Sequence, residues 1–262
     1  MMIVMAGQMN DATAPDYLPR PDGQAIAYHH LPGLSPGVIF LGGFRSDMTG
    51  TKATALEECC RRFGRAFTRF DYLGHGQSTG DFADGTISRW TDDAISILDE
   101  ATSGPQILVG SSMGGWIMLL AAMTRPERVA GLVGIAPAPD FTDWMWEDLA
   151  PEEQAAITRD GRLEQPSQYA DEPYVFTEKL FRDGRRNRVL DRAVPFGGPV
   201  RILHGMADPD VPWRRSLELV DRLESDDVVV TFIKDGDHRL SRDEDLSRLI
   251  SEVESLAQGL AE

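Results

Sequence analysis

Ser112 stands between two glycines in Gly110-Ser111-Ser112-Met113-Gly114. The apolar run Gln106-Ile-Leu-Val109 precedes it and a helix-like run, Trp116–Met123, follows. Strand, sharp turn and helix, with serine at the middle of the turn, present one hydroxyl at the tip. The chemistry that suits such a hydroxyl is attack on an acyl carbon. The turn strains the serine backbone, so bulky neighbours two positions away would clash, and Gly110 and Gly114 remove them. The helix that follows aims its amide end at the site and favours developing negative charge. The plain alternative is a tight turn that merely carries a serine.

A serine hydroxyl needs a base, and the base needs a carboxylate to orient it. The turn Gly110-x-Ser112-x-Gly114 resembles the nucleophile elbow of the α/β-hydrolases, which implies the chain order Ser, acid, His. Of His29, His30, His75, His204 and His238, the last two follow Ser112. His204 ends the apolar run Val200–Leu203 and reads as a structural strand-end residue. His238 lies in Asp235-Gly236-Asp237-His238, after the last strand-like run, where a loop can reach Ser112. It is the expected base. The acid is expected in Gly205-Met206-Ala207-Asp208-Pro209-Asp210-Val211-Pro212, where Asp208 leads and Asp210 competes. Asp237 reads as a turn residue.

An oxyanion needs two preorganised amides. The N–H of Met113, just after the nucleophile, is one candidate; the N–H of Phe44, in Leu41-Gly42-Gly43-Phe44, is the other. Asp71-x-x-Gly74-x-Gly76-x-Ser78 reads as a structural turn beside the site, so His75 is not expected to be catalytic. No metal-ligand constellation and no cofactor motif stands out. Arg182, Arg185, Arg186, Arg188 and Arg192 form a basic cluster. It reads as a solvated face or as partners for carboxylates, with steering of an anionic substrate as the sharper possibility.

The elements that must position these groups alternate. Ala25–His29, Val38–Leu41, Ala66–Tyr72, Ile107 onward, Val129–Ala136, Val200–His204 and Val228–Lys234 read as strands. Helical spacing runs through Leu56, Cys59, Cys60 and Phe63, with Gly64 as a stop. It recurs from a Thr86 cap through Ile87, Trp90, Ala94, Leu98 and Ala101, in Leu217, Val220 and Leu223, and from Leu246 to Leu256. The pattern predicts an α/β fold with a mostly parallel sheet covered on both faces. From Asp140 to Asp191 no good strand is evident, yet Trp144, Trp146, Tyr169, Tyr174, Phe176 and Phe181 gather there. That stretch is expected to be a helical cap (140–191) over a core of 1–139 and 192–262.

With 262 residues, the chain suits one large domain with an insertion. Its apolar content of 42% and charged content of 26% are ordinary for a globular protein. The net charge of −16 argues against nucleic acid, which needs a basic face. No apolar run is long enough for a membrane span. Met1–Ala6 is short and lacks the basic start of a secretory signal, so the cytoplasm is the expected location. Cys59 and Cys60 are adjacent in a helix and suit packing, not redox or metal work.

A closer match rests on longer pieces: Ser35-Pro-Gly-Val-Ile-Phe40, Gly50-Thr-Lys-Ala53, Arg69-Phe-Asp-Tyr72 and Gly104 to Ser112 followed by Gly114-Gly-Trp116. It continues in Leu203-His-Gly-Met206, Val211-Pro-Trp213 and Asp237-His-Arg239. Across Ala25 to Val253, and least over residues 140–191, the chain resembles the mitochondrial α/β-hydrolase-domain proteins known as palmitoyl-protein thioesterases. These are also known as esterases of acyl glucuronides such as that of mycophenolic acid. The resemblance implies the α/β-hydrolase fold and a triad of Ser112, Asp208 and His238. The implied substrate is an acyl ester or thioester, of a small molecule or an acylated protein, and no cofactor is required. The chain lacks an evident mitochondrial targeting segment and looks like a bacterial member.

The expected activity is therefore that of a serine esterase or thioesterase working through an acyl-enzyme on Ser112. The same triad could instead serve C–C bond hydrolysis or acyl transfer. A non-catalytic binding protein on this fold is disfavoured because all three triad types are in place. A dehalogenase would need aspartate where Ser112 stands.

Overall fold

Alternation along the central strands builds two apolar faces. In β3 (Leu34–Leu41), Val38 and Phe40 enter one core cluster while Ile39 and Leu41 enter the other. In β5 (Gln106–Ser111), Ile107 and Val109 divide from Leu108 in the same way. The computed structural model describes residues 14–166 and 173–260. Met1–Ala6 and Tyr169 lie outside the described residues.

The main sheet has eight strands in the order β1-β2-β4-β3-β5-β6-β9-β10. The remaining six are β1 (Asp16–Pro19), β2 (Ala25–Leu31), β4 (Arg65–Phe70), β6 (Val129–Ile135), β9 (Val200–Gly205) and β10 (Val228–Ile233). The pairs β1–β2 and β2–β4 are antiparallel and the rest are parallel. Strand β1 escaped the sequence reading because it is short, mostly exposed and lacks apolar alternation.

Helices α1 (Thr51–Phe63) and α8 (Asp243–Gly259) cover one face, through Leu56, Cys60, Leu249 and Val253. Helices α2 (Ile87–Ser96) and α3 (Met113–Thr124) cover the other, with Trp90 and Trp116 fully buried. Gly64 ends α1 in the left-handed conformation and Thr86 caps α2 by accepting from the Arg89 N–H. Phe63, expected on the buried stripe of α1, is its last residue and is 52% exposed, whereas Cys60 one turn earlier is buried. Leu217, in α7 (Arg214–Val220), is likewise exposed.

Between β6 and β9 the chain leaves the sheet. This insertion holds α4 (Phe141–Asp148), α5 (Pro151–Asp160), β7 (Arg162–Gln165), β8 (Tyr174–Thr177) and α6 (Glu178–Gly184). The expectation of no strand here is corrected: β7 and β8 pair antiparallel, Arg162 opposite Thr177 and Gln165 opposite Tyr174. Each strand is four residues long, and β7 carries a single apolar side chain, so its alternation was too weak to read. The insertion is pinned at both ends by one residue. Asp140 accepts from the Val189 and Leu190 N–H groups at 3.0 and 2.9 Å. Trp116 of α3 donates to the Asn187 carbonyl at 3.0 Å, and Ser88 of α2 bonds Asp183. Among the described residues, no helix is long and apolar enough to cross a membrane.

Candidate active site

Ser112 has φ 54° and ψ −118°, between the end of β5 and the start of α3. A non-glycine residue in this region is strained and persists only where its surroundings fix it. Here they do. The Ser112 N–H donates to the Ile135 carbonyl at 2.9 Å, and its own carbonyl accepts from Gly115 at 2.9 Å and Ala138 at 3.1 Å. The flanking glycines are required by space: a Cβ on Gly110 would lie 2.4 Å from the Gly114 carbonyl oxygen, and one on Gly114 would lie 2.1 Å from that of Leu41.

The loops after β9 and β10 meet at a second glycine contact. A Cβ on Gly205 would lie 2.2 Å from the Gly236 carbonyl oxygen, and the Ala207 N–H donates to that oxygen at 3.0 Å. This close approach brings Asp208 and His238 together. His238 Nδ1 is 2.8 Å from Asp208 Oδ2, and His238 Nε2 is 3.1 Å from Ser112 Oγ. The carboxylate accepts only, so Nδ1 carries the proton and the Nε2 lone pair faces the serine O–H.

Asp208 is buried, and its Oδ1 accepts from the Asp210 and Val211 N–H groups, both at 2.8 Å. Burial opposes its ionisation. The neighbouring His204, then His238, and the Val211 amide outweigh burial and hold the carboxyl well below the usual carboxylate range. Asp210, the competing acid, thus supplies an amide to Asp208. Asp237 accepts from the Leu240 N–H, as a turn residue does.

His204 is not only a strand-end residue. Fully buried, it places Nε2 3.3 Å from Asp208 Oδ2. His75 stays off the reacting groups: its ring packs edge-on against Tyr72, Phe82 and Trp90. Burial pushes its pKa down to about 4, so the ring is neutral, with Nδ1–H on the Leu73 carbonyl and Nε2 accepting the Arg45 N–H. Asp71 braces the same loop by accepting from Met48 at 2.7 Å. The turn 71–78 therefore supports the loop that carries Phe44. That loop runs beside the serine: a Cβ on Gly43 would lie 3.4 Å from Ser112 Cβ. Met113 is the first residue of α3, so its N–H has no acceptor within its own helix.

These groups open into a cavity of about 540 Å³. The insertion supplies an apolar wall that includes Phe141, Trp144, Met145, Tyr174 and Phe176. The core side supplies Arg45, Lys52 and Arg239, which the sequence reading passed over, although Lys52 lies in the piece Gly50–Ala53. Lys52 donates to the Arg239 carbonyl at 2.5 Å, and burial pushes its pKa down to about 8. The arginine cluster 182–192 does not line this cavity. Arg182 pairs with Glu178, Arg188 with Asp143, and Arg185 lies over the Trp146 ring. Among the described residues, donor atoms of Asp208, Asp210 and His238 gather within 4.8 Å. His238 Nδ1 already bonds Asp208 there, so a cation on that nitrogen would displace the His238–Asp208 hydrogen bond.

A family model described as the alpha/beta hydrolase family matches residues 31–252. The chain is 43% identical over 250 residues to the mitochondrial palmitoyl-protein thioesterase ABHD10 of Rattus norvegicus, covering 95% of this chain and 84% of that one. The structure of alpha/beta hydrolase domain-containing protein 10 from mouse superposes with a TM-score of 0.88 at 42% identity, over 95% of this chain and 100% of that one. A putative hydrolase from Agrobacterium vitis S4 gives the same TM-score at 44% identity, over 93% of this chain and 97% of that one. The chain belongs to the alpha/beta hydrolase family, in the group of the ABHD10 proteins.

Proposed function

We propose that the protein is a serine hydrolase that cleaves carboxylic esters or thioesters through an acyl-enzyme on Ser112. The observation that carries this reading is the continuous chain Ser112 Oγ, His238, Asp208, opening into a cavity with one apolar wall. His238 Nε2 takes the serine proton as Oγ attacks the carbonyl carbon. The negative charge that develops on the carbonyl oxygen is met by the N–H groups of Met113 and Phe44, each donor contributing about 3 kcal/mol at the transition state. His238 then gives its proton to the departing alcohol or thiol, and water, activated by the same ring, releases the acid. The aromatic wall of residues 140–191, acting as a cap, receives the acyl chain. The palmitoyl-protein thioesterase name of the rat relative favours a long-chain thioester as one substrate class.

The test is a turnover panel of p-nitrophenyl esters, acyl thioesters and acyl glucuronides across acyl length, with fluorophosphonate labelling of wild type and Ser112→Ala. Turnover of esters or thioesters with labelling confined to the wild type is expected. Labelling of Ser112→Ala at wild-type rate would overturn the reading.

A further inference from the structure

Asp208 Oδ2 faces two imidazoles. His238 Nδ1 lies 2.8 Å away on one side and His204 Nε2 3.3 Å away on the other. His204 is fully buried, at the end of β9, and the mechanism above gives it no part. Its ring is fixed from both ends. Nε2 lies 3.0 Å from the Val211 carbonyl, an acceptor only, so this nitrogen carries the proton. Nδ1 is then a bare lone pair, and the Ser216 hydroxyl, 2.7 Å away and fully buried in α7, donates to it. The Nε2 proton is donated to the Val211 carbonyl, and Asp208 Oδ2 lies 3.3 Å from the same nitrogen.

We propose that His204, locked by Ser216, is a positioning residue for the triad: it holds Asp208 Oδ2 in line with His238 and shares part of its negative charge. The proposal rests on the reading of Ser112, His238 and Asp208 as the reacting chain. A carboxylate that serves several donors pulls less strongly on any one of them. With His204 in place, Asp208 stabilises protonated His238 less than it otherwise would. Removing the Nε2–H concentrates charge toward His238 and should raise the pH at which the base becomes active. The contact was hidden in the sequence because residues 204 and 208 meet only through the turn at Gly205, where β9 ends.

The experiment measures kcat/KM against pH on a p-nitrophenyl ester for wild type, His204→Met, His204→Gln, Ser216→Ala and Ser112→Ala. The other charged groups beside His238, namely Lys52, Asp210, Asp237 and Arg239, are the same in all. Methionine fills the space without a donor, whereas glutamine can return an N–H near the position of Nε2. The acidic limb should rise by about 0.5 pH unit in His204→Met, in the same direction but less in Ser216→Ala, and fall back toward wild type in His204→Gln. A purely structural histidine would change thermal stability and amplitude but leave the limb in place, and an unmoved limb in His204→Met overturns the proposal. If His204→Met does not fold, Ser216→Ala decides in the same way. Retained turnover in Ser112→Ala would instead bring down the underlying triad reading, whatever the limb does.

Discussion

The rings of Phe44 and Phe176 lie face to face, 5.3 Å between centroids and 6° from parallel. Phe44 belongs to the loop beside Ser112 and Phe176 to β8 of the insertion. Phe44 also meets Phe82, Trp90 and Phe141 edge-on, so its side chain joins the core to the insertion. The loop whose amide is proposed to hold the oxyanion is thus clamped by the wall proposed to hold the acyl chain. Truncating Phe176→Ala should lower kcat/KM for a p-nitrophenyl octanoate about tenfold, roughly 1.4 kcal/mol, through lost aromatic contact. The acetate ester, which does not reach the wall, should lose less. The ratio of the two rates is the readout; an equal loss for both would point to the loop alone.

The glycines of the elbow differ in what they tolerate. Gly114→Ala places a Cβ 2.1 Å from backbone at Leu41 and should abolish turnover and destabilise the fold by about 2 kcal/mol or more. Gly43→Ala meets nothing nearer than 3.4 Å, where Ser112 Cβ and Ser46 Oγ lie, so the fold should survive while activity drops. Denaturant melts beside esterase assays separate the two outcomes.

Asp140 anchors both ends of the insertion, and burial raises its pKa from 3.8 to about 6. The folded state therefore holds this proton more tightly than the unfolded state. Its contribution to stability is most favourable below about pH 4 and declines as pH rises through about 6, by about 3 kcal/mol in all. Asp140→Asn removes this dependence. Its unfolding free energy relative to wild type should increase between pH 4 and pH 7, as chemical denaturation at each pH will show; a constant difference would contradict the assignment.

The residues of the proposed triad could be picked out because each follows a strand-like run: Ser112 after β5, Asp208 after β9, His238 after β10. The sheet was legible for the same reason, through the two-residue alternation of Val38–Leu41 and Ile107–Val109. What escaped depends on contacts across space. Strands β1, β7 and β8 are too short to show a period. The arginine cluster, by contrast, pairs as its carboxylate-rich surroundings lead one to expect, Arg182 with Glu178 and Arg188 with Asp143. Lys52 reaches the site only because α1 begins beside the loop that follows β10.

Hydrolysis by the proposed route passes through a covalent acyl group on Ser112. Intact-protein mass spectrometry of samples quenched during p-nitrophenyl ester turnover tests it most directly. A mass increase of one acyl group is expected on the wild type, mapped by peptide digestion to the segment holding Ser112, with neither adduct nor turnover in Ser112→Ala. Turnover at wild-type rate in Ser112→Ala, or an acyl group mapped to another residue, would contradict it.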